Sequence, residues 1–283
     1  MSDPVPAGPR GGSELGLRVA SALILAGATL TLTALGGVFF RLLAALIGAA
    51  ILYEWVTMTR SRMDSRHVAL VSGFMALVLL ALVVGLPAPV LLALAAVGVV
   101  AAGLHANLAR LGAWGATGLA YASLSAIALS ELRGSTAAGL VTILFLFAVV
   151  WATDILAYFV GRALRGPKLA PRISPGKTWS GAVGGTVAGI AAGLVVWALA
   201  EPRYGAAVFV VLALVLSVAG QVGDLFESWI KRRFSFKDSS KLIPGHGGVM
   251  DRVDGLVAAA MLLFVLTLAA DGIERASHAL FIG

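Results

Sequence analysis

Cysteine is absent from this 283-residue chain, which excludes disulfides, thiolate nucleophiles and zinc–thiolate centres. Charge is scarce as well: Asp, Glu, Lys and Arg make up 12% of the residues, against 59% that are hydrophobic. Soluble domains carry about 25% charged residues, so a soluble domain is excluded. The apolar runs lack period-two alternation, which excludes a transmembrane barrel and leaves helices. There is no internal repeat and no matched pair of interrupted hydrophobic segments of the kind many transporters carry.

What is present is a series of long apolar runs. A bilayer core of about 30 Å takes roughly 20 residues of helix, and nine segments meet that length: 17–35, 37–58, 67–86, 88–106, 114–132, 136–162, 179–200, 204–230 and 253–272. The expectation is an all-α polytopic membrane protein with about nine transmembrane helices. Residues 1–16, with Pro4, Pro6 and Pro9, read as a disordered tail. The first apolar run is too long for a cleaved signal peptide and has no cleavage site. Residues 17–132 then form a helical scaffold, and 133–283 hold the working region.

Basic residues orient the spans. With the N-terminus cytoplasmic, all but four of the 21 Lys and Arg residues fall on the inside; only Arg41, Arg133, Arg203 and Arg275 fall outside. That is the asymmetry membrane topology requires, and it puts the C-terminus on the opposite side. The net charge of +7 is thereby accounted for by topology, and no nucleic-acid partner is expected. Two inside loops, 163–178 and 231–252, are long enough to carry function.

Acids inside spans cost roughly 2.5–3.5 kcal/mol on insertion scales and need a reason. Glu54, Asp154, Asp224 and Glu227 qualify, all toward the cytoplasmic ends of their spans. Gln221, Asp224 and Ser228 share one helix face, as do Asp154, Tyr158 and Arg162. Glu54, a lone acid beside Trp55, reads as structural, and Asp154 reads equally as an ion-pair tie between helices. Trp179 and Trp229 read as interfacial anchors.

The first loop contains Gly176-Lys177-Thr178, but Pro171 stands where a phosphate-binding loop needs its first glycine, so it is not that motif. Ser174, Lys177 and Thr178 nonetheless precede a helix whose free N–H groups favour an anion. The second loop interleaves Lys231, Arg232, Arg233, Lys237, Lys241 and Arg252 with Asp238, Asp251 and Asp254, around Gly245-His246-Gly247-Gly248. Those glycines let backbone approach a ligand closely and form an anion-holding concavity. Taken alone, Asp251 and Asp254 fit helix capping and metal binding equally. Asp224 closes one helix and Asp251 opens the next, so the loop can bring both carboxylates together. Two such charges 4 Å apart repel by about 4 kcal/mol at an effective dielectric of 20 and need a cation. Oxygen ligands among phosphate-type cations point to Mg²⁺, with room for a second ion.

The stretch Ser228, Lys231-Arg232, Lys237-Asp238, Ser240, Ile243-Pro244, His246-Gly247-Gly248 and Asp251-Arg252-x-Asp254 resembles the signature of the phosphatidate cytidylyltransferases, or CDP-diacylglycerol synthases. Residues 221–228, 154–161 and 174–181 are similar to that family too, so the resemblance covers roughly 150–255. Ser180 departs from it, standing where the family usually has glutamate, and Gly176 replaces a frequent lysine. The resemblance implies CTP and phosphatidate as substrates, CDP-diacylglycerol and pyrophosphate as products, and a site facing the cytoplasm in the inner membrane, with membrane lipid as surroundings and a homodimer as assembly. By carry-over, Asp224 and Asp251 are the metal ligands, and Lys237 and Arg252 assist them at the phosphates. Lys177, Arg232 and Lys241 would bind phosphate, with Ser174 and Thr178 as supporting donors. His246 has two open roles, contacting phosphate or holding the loop. The alternatives are an ion-coupled transporter, which needs acids spread across the membrane, and another lipid phosphotransferase. A CDP-alcohol transferase is disfavoured because its Gly-x3-Asp-x3-Asp pattern is missing.

Overall fold

The computed structural model describes residues 11–243, 247–271 and 280–282. The expected tail is shorter than the sequence suggests, because the first helix, α1, already begins at Gly11 and runs to Leu35; residues 1–10 and His246 lie outside the described residues. Eight more helices follow: α2 Gly37–Thr59, α3 Ser65–Val84, α4 Ala88–Leu108, α5 Trp114–Arg133, α6 Ala137–Leu164, α7 Trp179–Leu199, α8 Ala206–Arg233 and α9 Met250–Asp271. Each coincides with one expected segment to within a few residues, except α1, which starts six residues early.

Local chemistry sets the helix ends. The Asp64 carboxylate accepts from the His67 amide at 2.6 Å to open α3, and Gly85 at φ 90° closes it. Pro87 precedes α4, and the hydroxyls of Thr136 and Thr178 each accept an amide at 3.1 Å to open α6 and α7. Such caps satisfy donors that have no partner within the helix.

Among the described residues, seven of these helices are long and apolar enough to cross a membrane; α5 is not one of them, and α1 enters the count only as its apolar segment Leu23–Leu35. For α5 the reason is its position. It packs against α2, α3, α4, α6 and α9, and its serines 123, 125 and 130 are buried with most of its length. A helix surrounded by protein needs less apolar surface than one facing lipid, and Ser123 satisfies its hydroxyl on the Leu119 carbonyl at 2.6 Å.

Two helix pairs meet at backbone distance. Gly181, Gly185, Gly189 and Gly193 form a buried stripe along α7 against α6. A Cβ on Gly189 would stand 3.0 Å from the Val149 carbonyl, tighter than packing allows. The opposite side of α7 carries exposed Val183, Val187 and Val195. Small residues inward and branched ones outward are the pattern of a helix held by close approach within lipid. Similarly, α8 and α9 cross at Gly220 and Gly255, where a Cβ on either would lie 3.2–3.3 Å from the other's carbonyl oxygen.

The loop expected over 163–178 is not wholly irregular. Lys168–Ala170 (β1) and Ser174–Thr178 (β2) pair antiparallel, with Lys168 opposite Thr178 and Ala170 opposite Ser174. The all-α expectation therefore holds for the spans and misses this hairpin, whose strands are too short and too polar to show a period. The second loop is shorter than expected: Lys231, Arg232 and Arg233 belong to the last turn of α8, and Asp251, Arg252 and Asp254 to the first turns of α9.

Candidate active site

One end of the bundle holds a cavity of about 1020 Å³ enclosed by the last turns of α6, the hairpin, the start of α7, the end of α8 and the start of α9. Each wall delivers polar groups because a helix terminus lies there. From α6 come Asp154, Tyr158 and Arg162, one per turn as their spacing requires; the hairpin brings Lys168, Ser174, Lys177 and Thr178; α8 brings Gln221, Asp224 and Lys231, and α9 brings Asp251, Arg252 and Asp254. The crossing at Gly220 and Gly255 is what lets α8 and α9 place their carboxylates on one cavity.

Asp224 and Asp251 do line the same space, and each holds a lysine. Lys177 forms an ion pair with Asp224 Oδ2. Lys231 Nζ lies 2.6 Å from Asp251 Oδ1 and 3.4 Å from Glu227 Oε1, one helical turn away. The other oxygen of Asp251 is filled from the loop, accepting the amides of Gly248 at 2.8 Å and Ser239 at 2.9 Å. Asp251 is therefore fixed by three donors, Lys231 and the two amides, with the Ser239 hydroxyl oxygen a further neighbour at 2.9 Å. Asp224, by contrast, has among the described residues, beside its lysine, only Ser228 Oγ, at a long 3.4 Å.

Arg162 donates to the Tyr158 hydroxyl at 2.8 Å, so the expected tie of Asp154 to one of these neighbours is replaced by a bond between them. Arg165 also reaches the cavity. Thr178 caps α7 and touches Ser180 Oγ at 3.1 Å, and Ser180 donates to the Arg165 carbonyl. The serine that departs from the family pattern thus closes the hairpin base onto the end of α6.

Of the residues singled out in the sequence, Ser174, Lys177, Thr178, Asp224, Asp251 and Arg252 line the cavity. Arg232, Lys237 and Lys241 do not; all three are exposed beside it, with Arg232 Nε 3.4 Å from the Ile173 carbonyl. Gly247, at φ 86°, and Gly248 act through the backbone of the loop that holds Asp251. Trp229 is more than an anchor, stacking on Phe226 at 6.2 Å and meeting Trp114 at 6.1 Å.

Sequence reasoning missed Lys231, Ser239 and above all Glu54 as parts of the site. Glu54 comes from α2, is fully buried, and accepts four hydrogen bonds: Ser240 Oγ at 2.6 Å and the Val249 amide at 2.8 Å on Oε1, Met250 amide at 2.7 Å and Ser239 Oγ at 3.0 Å on Oε2. Its signal in the sequence was the cost of a carboxylate inside a span; its partners, about 190 positions away, were not.

The cytidylyltransferase family profile matches residues 16–269. The chain belongs to the cytidylyltransferase family. A phosphatidate cytidylyltransferase of Brucella abortus biovar 1 (strain 9-941) is 49% identical over 257 residues, covering 89% of this chain and 93% of that protein. One from Staphylococcus saprophyticus is 40% identical over 148 residues, 52% of this chain and 56% of that one. One from Haemophilus influenzae is 42% identical over 125 residues, 43% of each.

Proposed function

We propose that the protein transfers the cytidylyl group of CTP to phosphatidate, giving CDP-diacylglycerol and pyrophosphate. The observation that carries this is a single cavity at one end of the bundle joining basic groups and carboxylates, in a chain aligned along nearly its full length with phosphatidate cytidylyltransferases. A phosphate oxygen of phosphatidate attacks the α-phosphorus of CTP, the bond from that phosphorus to the bridging oxygen breaks, and pyrophosphate departs with the electron pair. No protein nucleophile takes part. The work left to the protein is positioning and charge, which are the main terms in such transfers.

Lys177, Lys231, Arg162, Arg165 and Arg252 neutralise phosphates, and Ser174 and Thr178 donate hydrogen bonds. Arg232, Lys237 and Lys241 stand at the rim, where they draw anionic nucleotide toward the cavity. Asp224 and Asp251 are hard oxygen donors on one cavity and are the residues that would hold a divalent cation, which would take the place of the Lys177 and Lys231 ammonium groups that pair with them. Mg²⁺ held there would supply charge neutralisation at the phosphates. The five acids at the cavity share one end of the bundle, an arrangement that suits a surface reaction better than an ion path across the membrane. All nine helices are taken as spans, with the N-terminus and cavity cytoplasmic, the C-terminus opposite, the protein in the bacterial inner membrane and the assembly a homodimer.

The test is direct. Purified protein with phosphatidate and labelled CTP should form labelled lipid and release pyrophosphate in a reaction that a divalent-cation chelator stops. Label appearing with diacylglycerol in place of phosphatidate would refute the assignment.

A further inference from the structure

We propose that Glu54 is a positioning residue for the transfer reaction: from the N-terminal helices it fixes the loop that aims Asp251 into the cavity. The inference rests on the functional reading above, and its first observation is stoichiometric. Each oxygen of a carboxylate accepts about two hydrogen bonds in its plane, and Glu54 receives two on each. It is a fully occupied acceptor with no exposure, made wholly by residues of one short segment, Ser239 to Met250.

The second observation is which groups it holds. Val249 and Met250 offer the free amides at the start of α9, the donors a helix cannot satisfy itself. A negative charge there also opposes the positive end of the helix dipole. The carboxylate of α2 thus serves as the cap of α9, at a helix bearing Asp251 in its first turn.

The third is Ser239, whose hydroxyl lies 3.0 Å from Glu54 Oε2 and 2.9 Å from Asp251 Oδ2. A serine hydroxyl has one hydrogen to give. Asp251 Oδ2 already accepts two amides, so the hydroxyl hydrogen belongs to Glu54, and Ser239 joins the two carboxylates by donating its amide to one and its hydroxyl to the other. Gly248 completes the contact, since a Cβ there would run into both Ser239 Oγ and the Glu54 carboxyl. No other part of the N-terminal helices makes so many hydrogen bonds to the cavity walls among the described residues.

Glu54→Gln keeps the shape and replaces one acceptor oxygen by a donor facing donors. In the full-length enzyme it should lower kcat by about tenfold or more while changing KM for phosphatidate little, since it removes an interaction that serves the reacting geometry. The Mg²⁺ concentration for half-maximal rate should rise severalfold, roughly as expected when a ligand's supporting partner is lost. Without any substrate, and at a temperature well below the melting transition of the variant, trypsin should cut after Lys237 or Lys241 about fivefold faster or more, reporting local release of the loop. Glu54→Asp, which keeps the charge, should restore part of each effect. Unchanged cleavage together with unchanged Mg²⁺ dependence overturns the proposal, and so does lost turnover explained by a lowered melting temperature alone. Should Glu54→Gln fail to fold, Ser239→Ala, which cuts the link but leaves the Ser239 amide on Asp251, should shift cleavage and Mg²⁺ dependence the same way to a smaller extent; no shift overturns the proposal. The cleavage arm needs no turnover, so a wild-type protein inactive with CTP and phosphatidate would sink the assigned reaction and still leave the positioning role decided.

Discussion

Asp224 and Asp251 share a cavity and a charge, yet their surroundings differ enough to separate them by mutation. Asp224→Asn and Asp251→Asn should each lower turnover by on the order of 100-fold or more, as losing a key electrostatic group does. Their stabilities should diverge. Asp251 takes two amides on one oxygen and Lys231 on the other, so an asparagine there leaves buried donors facing a weaker acceptor or an amide, at about 1–3 kcal/mol. Asp224 has Lys177 and a long contact to Ser228, and its substitution should leave thermal unfolding in detergent nearly unchanged. Equal melting temperatures for the two variants would contradict this difference. Both carboxylates were legible in the sequence because they sit in a dense polar stretch between apolar runs. Glu54 was visible only as an isolated intramembrane acid, since what gives it meaning is contact with Ser239, Ser240, Val249 and Met250, and nothing in its own neighbourhood encodes that.

Among the elements, α7 depends most on a single pattern. Its glycine stripe brings α6 close enough for the hairpin to sit between their ends, with Lys177 and Thr178 leading directly into α7. Gly185→Leu should destabilise the protein by roughly 1–3 kcal/mol or more, because a Cβ at 185 meets the Thr153 carbonyl and lies 2.8 Å from the Ala157 Cβ, and overpacking of this kind has nowhere to relax. Val187→Leu, on the exposed side, should be neutral in the same melting measurement. The helices were readable from their apolar length to within a few residues, while the caps that fix their ends, at Asp64, Thr136, Gly85 and Pro87, came from the structure. The hairpin was not, because three- and five-residue strands carry too few positions for a period and are set by the pairing of Lys168 with Thr178.

At the scale of the whole molecule, a chain without cysteine is its own background for single-cysteine labelling. Ser61→Cys and Arg172→Cys should react with a membrane-impermeant maleimide only in inverted vesicles, and Glu201→Cys only in intact spheroplasts. All three lie in exposed positions between helices. Labelling of Ser61→Cys and Glu201→Cys from the same side would rule out the span count and orientation together. The charge asymmetry of the loops is the ground for expecting this orientation, whereas the interior position of α5 was not legible in the sequence, because a moderately polar helix reads the same whether lipid or protein surrounds it.

That interior position has a further consequence for how the protein is made. During synthesis α5 must enter the bilayer before α6 and α9 exist to enclose it, with Ser123, Ser125, Ser130 and Arg133 aboard and less apolar drive than the helices around it. Its retention then falls to α2, α3 and α4, already in place on the N-terminal side, so the scaffold acts first as the receiver of a reluctant helix and only later as the support of a site. A leucine at 123 would ease entry into the bilayer and then find no room in the finished bundle. Biogenesis and packing thus ask opposite things of the same residue, and the serine meets the demand of packing.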